Sequence, residues 1–268
     1  MDQEAAVREA FSRQAPVFDA LEAGDPLLAW IRQRAQREAI AHMRPGSTLL
    51  ELNAGTGIDS FYFAAQGIRV TATDNATGMV DRMRARQAMH PELAVEVLER
   101  SYLDLDQFGD RRFDHVFSNF GGINCTPHLD RVLNGIDRVL TPGGTCTLVI
   151  MPRLSPWEMV EFLRGNFAQA FRRFARDGAM ARMEGISFRC WYHSSQAVRN
   201  MLPDHEVLSR MALSFFVPPP HLAPFAAKCP ALVRIAKRLE ELSCRWPLIR
   251  SCGDHFLITL RKPWHEPE

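Results

Sequence analysis

The sequence predicts an α/β fold in which a mostly parallel sheet is covered by helices on both faces. Short apolar runs alternate with amphipathic segments from residue 46 to residue 151. The 268 residues, 46% of them hydrophobic and 24% charged, suffice for one elaborated domain or two small ones. No internal repeat or low-complexity linker divides the chain. Strand, helix and strand in repeated succession favour a parallel sheet with two covered faces.

Residues 1–45 are predicted to form an N-terminal helical segment. Asp25 and Pro26 make an N-cap and first-turn pair. The apolar face that follows comprises Leu27, Leu28, Ile31, Ala35 and Ala39. Three arginines, Arg32, Arg34 and Arg37, are expected to lie off this face. The helix is expected to end at Pro45-Gly46.

Residues 46–151 are predicted to form the α/β core. Five apolar runs indicate strands at 48–53, 68–74, 94–98, 113–119 and 145–151. Amphipathic segments indicate helices near 58–66, 77–89 and 129–140. The sequence Thr-Pro-Gly-Gly at 141–144 predicts a turn before the fifth strand.

The alternation stops after Met151, so residues 152–205 are predicted to form a cap and 206–268 to complete the core. Ser155 to Glu158 has the pattern of a capping box and indicates a helix start. A second cap helix is indicated by three phenylalanines at helical spacing, Phe167, Phe171 and Phe174. Residues 186–193 alternate like an edge strand. Two late strands, 206–217 and 254–262, flank a helix near 231–244.

Composition excludes several classes of partner. Lys and Arg number 32 against 31 Asp and Glu, and a net charge of +1 gives no general attraction for nucleic acid or an anionic membrane. Any basic function must therefore be local. No stretch reaches the roughly 18 apolar residues of a membrane span, and the N-terminus lacks a signal sequence, so a cytoplasmic protein is expected. Six irregularly spaced cysteines predict neither a metal site nor a disulfide framework.

The most informative motif follows the first strand. Glu51 and Asn53 lie at the end of the first strand, Gly55 and Gly57 form a Gly-rich turn that leads into a helix, and Asp74 ends the second strand. Such a turn lets a ligand approach the backbone and the helix N-terminus. An acid at the end of the second strand can accept hydrogen bonds from both hydroxyls of a ribose. A nucleoside-containing ligand is predicted.

A nicotinamide- or flavin-dependent oxidoreductase would use the same arrangement. Its fingerprint requires a third glycine, but the sixth position counted from Gly55 is Ser60, and the acid Glu51 precedes the turn. Both features disfavour a dinucleotide, although the oxidoreductase stays the alternative from another class.

The motif, Asp74, and the segments 18–19, 73–79, 113–116 and 140–144 together resemble the class I S-adenosylmethionine-dependent methyltransferases. The resemblance runs from about Phe11 to Met151 and returns at the last two strands. It implies a Rossmann-like α/β sandwich with a seven-stranded, mostly parallel sheet, an antiparallel last strand and a helical cap. It also implies S-adenosyl-L-methionine as the cofactor, with no metal required.

The resemblance assigns cofactor roles to residues that match the family's motifs. Gly55 and Gly57 approach the methionine part, Glu51 places its amino group, and Asp74 holds the ribose. Asn53 stands where the family usually has glycine, and asparagine tolerates a left-handed backbone best after glycine. Four further residues are expected at the cofactor: Asn75, Ser101, Tyr102 and Asn119.

The acceptor is expected to be a small apolar or aromatic metabolite, with O-methylation favoured over N- or C-methylation. The fourth strand ends without the Asn/Asp-Pro-Pro-aromatic run of enzymes that methylate nucleic-acid bases. Asn119 and His193 are the candidate catalytic residues. Candidate substrate-binding residues are Phe120, Trp157, Arg172 and Trp191. A catalytically silent module that binds the cofactor remains a third alternative, and the oligomeric state is left open.

Overall fold

The computed structural model describes residues 2–163 and 165–264 and contains a seven-stranded sheet. The strands are β1 (Thr48–Leu52), β2 (Arg69–Asp74), β3 (Val95–Glu99), β4 (Phe113–Ser118), β5 (Leu140–Ile150), β6 (Ala179–Met183), β7 (Ile186–Cys190), β8 (Glu206–Leu213) and β9 (His255–Arg261). The sheet order is β3-β2-β1-β4-β5-β9-β8, and β6 pairs with β7 in a separate hairpin. Parallel pairing joins the first five strands, and β9 runs antiparallel to both β5 and β8. The predicted fold class is confirmed.

Helices cover both faces of the sheet. They are α1 (Gln3–Gly24), α2 (Pro26–Ile40), α3 (Ile58–Ala65), α4 (Thr77–Met89), α5 (Leu129–Val139), α6 (Pro156–Leu163), α7 (Phe167–Phe171), α8 (Ser195–Met201), α9 (Ala223–Lys228) and α10 (Pro230–Ser243). No helix in the described ranges is long and apolar enough to cross a bilayer.

Alternate residues of the central strands build two separate cores. Leu50 on β1 and Val116 on β4 belong to the core that includes Ile136 of α5. Their strand neighbours Leu49 and Phe117 belong to the opposite core. Because a strand points successive side chains to opposite faces, continuous apolar strands of this kind require cover on both sides.

The helical entry to the sheet follows its sequence signals. Asp25 caps α2 by accepting hydrogen bonds from the backbone nitrogens of Leu27 (2.8 Å) and Leu28 (3.3 Å). The helix ends at Ile40, five residues before the predicted stop. The long helix α1 packs against α4 and β7, and Gly78 of α4 lets the Ser12 backbone approach closely.

Four expectations about the later chain need correction. Strand β5 already begins at Leu140, and the predicted turn at 141–144 is an irregularity in its pairing with β4. The predicted edge strand is β7, which pairs with the unpredicted strand β6 outside the main sheet. The cap is therefore not purely helical. A helix does start at Pro156, but Ser155 Oγ has no partner among the described residues, and the Glu158 carboxylate binds arginines instead of capping. The second predicted cap helix, α7, ends at Phe171 and so does not include Phe174, and all three phenylalanines are about half exposed.

Candidate active site

A cavity of about 110 Å³ lies at the carboxyl ends of the central parallel strands. The turn after β1 contributes Asn53 and Gly55 to its wall, β2 contributes Asp74, and the loop after β4 contributes Asn119 and Phe120. Strand order reverses here, since β1 has β2 on one side and β4 on the other. Open α/β sheets bind their ligands at such a topological switch point, outside the carboxyl ends of the strands.

Asn53 takes the left-handed conformation expected for it, with φ of 45°. Its side-chain nitrogen donates to the backbone oxygen of Asn119 (3.0 Å), and its side-chain oxygen accepts from Ser118 Oγ (2.6 Å). A Cβ on Gly122 would lie 2.3 Å from the Asn53 side chain, so glycine is required there. Asparagine at this turn therefore ties the ends of β1 and β4 together.

Asp74 is held in place by the backbone. One carboxylate oxygen accepts from Gly55 N (2.8 Å) and the other from Ala76 N (2.9 Å). Burial raises the pKa of Asp74, and these backbone hydrogen bonds oppose the rise. Each carboxylate oxygen has a second acceptor site, and Asp74 lines the cavity. The carboxylate is thus fixed and ready to accept two more hydrogen bonds.

Glu51 lies behind this wall, 2% exposed, and accepts a hydrogen bond from Ser60 Oγ at 2.5 Å. Burial and the nearby Asp59 carboxylate raise the pKa of Glu51 well above its usual value. Ser60, whose presence argues against a dinucleotide fingerprint, is thereby a partner of the first-strand acid. Glu51 is not among the described residues that line the cavity, and its contact with a ligand stays a prediction.

The structure reveals a buried ionic network that the sequence analysis missed. Arg32, expected off the buried face of α2, is only 8% exposed and lines the cavity. Its guanidinium donates to Glu22 Oε2 (2.7 Å from Nη2) and to Asp59. Asp59 accepts two more hydrogen bonds, from Gln36 (2.7 Å) and Asn119 (3.0 Å). Arg32 and Gln36 are four residues apart on α2, a polar pair on one helix side that could have signalled this network.

Asn119 and Phe120 connect that network to the cavity. The Asn119 side chain donates to Asp59 and accepts from Phe120 N (2.8 Å). Phe120, with φ of 51°, places its ring 4.6 Å from the Arg32 guanidinium. Both predicted residues therefore lie at the cavity, and Asn119 is oriented by hydrogen bonds on two sides.

Four more residues were predicted to contact the cofactor. Asn75 and Tyr102 line the cavity, and Ser101 and Gly57 are not among the described residues of its wall. Burial raises the pKa of Tyr102 well above its usual value, so its hydroxyl stays protonated. Ser101 turns its hydroxyl to the backbone, accepting from Leu103 N (3.2 Å). Gly57 has φ of 84° and caps α3, and a Cβ there would meet Met83 at 2.9 Å.

Helix α1 forms an apolar roof that the residue predictions did not include. Val7, Phe11 and Phe18 line the cavity from above. Asp19 fastens this roof to the Gly-rich turn through Thr56 Oγ1 (2.5 Å) and to α4 through Arg86 (2.9 Å). The cavity is consequently covered by a segment that precedes the whole sheet in sequence.

The four cap residues predicted for the acceptor or for catalysis do not line this cavity within the described chain. Arg172 donates to both oxygens of the Glu158 carboxylate, from Nε at 3.0 Å and 3.1 Å and from Nη2 at 2.5 Å. An anionic acceptor would have to displace Glu158. The backbone oxygen of Trp191 accepts from Asn124 (2.5 Å). Trp157 Nε1 is buried and has no hydrogen-bond partner among the described residues.

His193 lies beside the end of β5, where its backbone nitrogen donates to Met151 O (3.2 Å). Burial lowers the pKa of His193 to about 4, so the ring is neutral at pH 7 and is a weaker base than an exposed histidine. Its Nε2 is buried without a hydrogen-bond partner in the described structure. The structure thus places the neutral ring outside the described cavity wall, and its role as a base stays a prediction.

Comparison with known proteins matches this chain to methyltransferases. Residues 49–144 match the model of a methyltransferase domain family. The ubiquinone/menaquinone biosynthesis C-methyltransferase UbiE of Acidiphilium cryptum is 38% identical over 212 residues, 76% of this chain and 80% of that protein. The demethylmenaquinone methyltransferase of Beutenbergia cavernae is 34% identical over 139 residues, 52% of this chain and 54% of that protein. Several curated relatives are thus matched over only about half their length.

Among solved structures, the 1,6-didemethyltoxoflavin-N1-methyltransferase of Burkholderia thailandensis aligns with a TM-score of 0.59 and 19% identity. The alignment covers 97% of this chain and 88% of that one, which was solved with bound 1,6-didemethyltoxoflavin and S-adenosylhomocysteine. At this identity the likeness concerns the fold, including the segment between β5 and β8.

Proposed function

The chain belongs to the class I S-adenosylmethionine-dependent methyltransferases, and from this premise we propose that it methylates a small apolar or aromatic acceptor. The observation that carries the proposal is the cavity at the strand ends, where a fixed carboxylate faces apolar walls. Asp74 lies at one side, and Phe11, Phe18 and Phe120 supply aromatic surface.

The residues present fit the cofactor. Asp74 keeps acceptor capacity for a ribose, and a Cβ built on Gly55 meets nothing nearer than Phe18 at 3.8 Å, so the turn leaves the backbone approachable. Asp59 and Asp74 outnumber the single cation Arg32 among the charged residues of the wall, which favours a positively charged ligand. S-adenosylmethionine supplies a methyl group already activated on a sulfonium.

The chain's own contribution is to bind, orient and exclude water. The Arg32 ion pairs hold Asp59, and Asp59 in turn orients the Asn119 amide at the cavity. The roof of α1 covers the cavity with apolar side chains, which lowers the local dielectric. Rigid placement of two reactants accounts for a large part of the rate in such transfers.

O-methylation remains the favoured outcome from the sequence, and C-methylation of a quinol ring is the second candidate. The 38% identity with the C-methyltransferase UbiE over 76% of this chain specifically supports the second. An aromatic acceptor would suit the phenylalanine-lined wall in either case.

Transfer of a ¹³C-labelled methyl group separates these outcomes. The protein is incubated with labelled S-adenosylmethionine and either a phenolic acceptor or a reduced demethylmenaquinone analogue, and the product is examined by NMR. A methoxy carbon confirms O-methylation, and a ring methyl carbon confirms C-methylation. Cofactor binding with no transfer to a broad set of acceptors would support the silent binding module.

A further inference from the structure

Helix α10 carries an apolar stripe that faces solvent. Leu232, Ile235, Leu239 and Leu242 recur at spacings of three and four residues and are 52%, 56%, 45% and 75% exposed. The stripe continues past the helix end at Trp246 (60% exposed) and Leu248 (90% exposed). We call these six residues the α10 apolar face.

A neighbouring side of α10 is already used for packing. Val233 and Ala236 contact the cluster that contains Leu27 and Trp30 of α2. Glu240 is fully buried and accepts hydrogen bonds from Phe216 N (2.7 Å) and its neighbours. The fold therefore needs only one side of this helix, and its own packing does not explain the second apolar side.

Basic residues border the α10 apolar face. Residues 228–250 contain six basic side chains and two acidic ones, while the whole chain is nearly neutral. Since Glu240 is buried beneath the helix, Glu241 is the single exposed acid of this segment. Arg234 and Arg238 are exposed and take part in none of the salt bridges formed among the described residues. By helical geometry they flank the stripe on one side.

We propose that the α10 apolar face binds the surface of an anionic phospholipid bilayer, with Arg234 and Arg238 at the headgroups. Leucine, isoleucine and tryptophan beside a basic flank are the composition of helices that lie in the membrane interface without crossing it. Tryptophan favours the headgroup level, where Trp246 would sit at the edge of the face. The net charge of +1 leads us to expect no membrane partner, and this surface is a local exception.

Charge complementarity selects the bilayer over a second copy of the chain. Two copies packed through this face in a symmetric pair would each bring two exposed arginines and one exposed acid to the same interface, so both sides would carry an excess of positive charge. Anionic headgroups, by contrast, supply opposite charge along the whole flank, at about fivefold in affinity for each basic residue. This inference is independent of the methylated acceptor, because the face lies on the outside of α10.

Vesicle cosedimentation of the 268-residue chain without cofactor tests the proposal. The protein should sediment with phosphatidylcholine vesicles that contain phosphatidylglycerol, bind weakly to pure phosphatidylcholine, and be released by high salt. The double variant Leu239→Ser/Leu242→Ser should lose binding by about tenfold or more. Arg234→Gln/Arg238→Gln should lose on the order of 20-fold on anionic vesicles alone.

Met89→Ser is the matched control, since Met89 is 69% exposed at the end of α4, away from this helix. It should bind vesicles as the unchanged protein does. A local readout comes from Trp246: brominated lipid should quench part of the protein fluorescence, and Trp246→Phe should remove that part. Unchanged circular dichroism of the variants keeps the comparison valid.

Two results would overturn the proposal. One is equal binding, or no binding, to vesicles by the unchanged protein and all the variants. The other is a dimer in light scattering that Leu239→Ser/Leu242→Ser dissociates, which would assign the face to self-association. Failure here leaves the methyl-transfer assay untouched, so the two proposals are tested separately.

Discussion

The strand ends and the segment 152–205 differ in how their buried polar groups are partnered. At the strand ends, Asp59 accepts from three side chains, and the Asp74 carboxylate is held by two backbone nitrogens. In the cap, Ser155 Oγ, Trp157 Nε1 and His193 Nε2 are buried without partners among the described residues. An unmade buried hydrogen bond costs about 1–3 kcal/mol. The Asp59 network is therefore hydrogen-bonded throughout and Asp74 keeps acceptor sites for a ligand, whereas the cap holds three buried polar atoms that lack partners among the described residues.

The largest expected effect comes from removing Arg32, which pairs with Glu22 and Asp59. Arg32→Ala leaves the buried Asp59 carboxylate and the partly buried Glu22 carboxylate without their cation and should lower the free energy of unfolding by about 3–5 kcal/mol. Urea unfolding measures this. Arg13→Ala is the control, because Arg13 pairs with Glu9 at 2.7 Å on the surface, and it should cost no more than about 1 kcal/mol. Equal losses in the two variants would show that the network adds no more than a surface pair.

The next largest effect concerns cofactor binding at Asp74. Asp74→Ala should weaken S-adenosylmethionine binding by about 1.5–3 kcal/mol, the scale of charge-assisted hydrogen bonds left unmade. Calorimetry on Asp74→Ala and on Asp81→Ala, a change at an exposed position of α4, gives the comparison. If both folded variants keep the original affinity, Asp74 does not hold the ribose.

The cap should act on the acceptor alone. Trp157→Ala or Trp191→Ala should raise the acceptor KM by an amount equivalent to about 1–3 kcal/mol, while cofactor affinity changes less than about twofold. Trp264→Ala serves as the control, since Trp264 packs against Gly143 near the start of β5, at the end of that strand away from the cavity. Should the cap variants change both affinities together, or neither, the acceptor site lies elsewhere and residues 119–125 become the next candidates.

The smallest effect is the pH dependence of His193. Its pKa is lowered to about 4 in the folded protein by burial, against about 6.5 unfolded. As pH falls from 6.5 to 4 the unfolded chain binds the proton first, so stability drops in this window. His193→Gln should remove about 1–2 kcal/mol of that drop, with partial exposure reducing the full linkage value. Denaturant titrations at pH 7 and pH 4.5 measure it. Identical pH profiles in the two proteins would show that the histidine is not desolvated.

Local sequence signals correctly predicted three features near the cavity. The Asp25 cap, the left-handed Asn53 and the strand that ends at Asp74 each depend on residues near one another in sequence. The roof and the network do not. Arg32 and Asp59 are 27 residues apart, and the helix pattern alone assigned Arg32 to solvent.

The cap was predicted less well for the same physical reason. The short strand β6 forms its backbone hydrogen bonds only with β7. The hairpin packs against α1, and such contacts between distant segments are not visible in the local sequence. Glu158 matched a local capping pattern, but its carboxylate accepts hydrogen bonds from Arg172 and Arg173 instead of capping the helix. Charge-assisted bonds of this kind outweigh a neutral cap bond.

The most direct test of the account is a crystal structure with S-adenosylhomocysteine. The ligand should lie in the cavity between the Gly-rich turn and α1, with its ribose hydroxyls on the Asp74 carboxylate and the Arg32 to Asp59 pair unchanged. A ligand bound elsewhere, or a ribose held by residues other than Asp74, would contradict it.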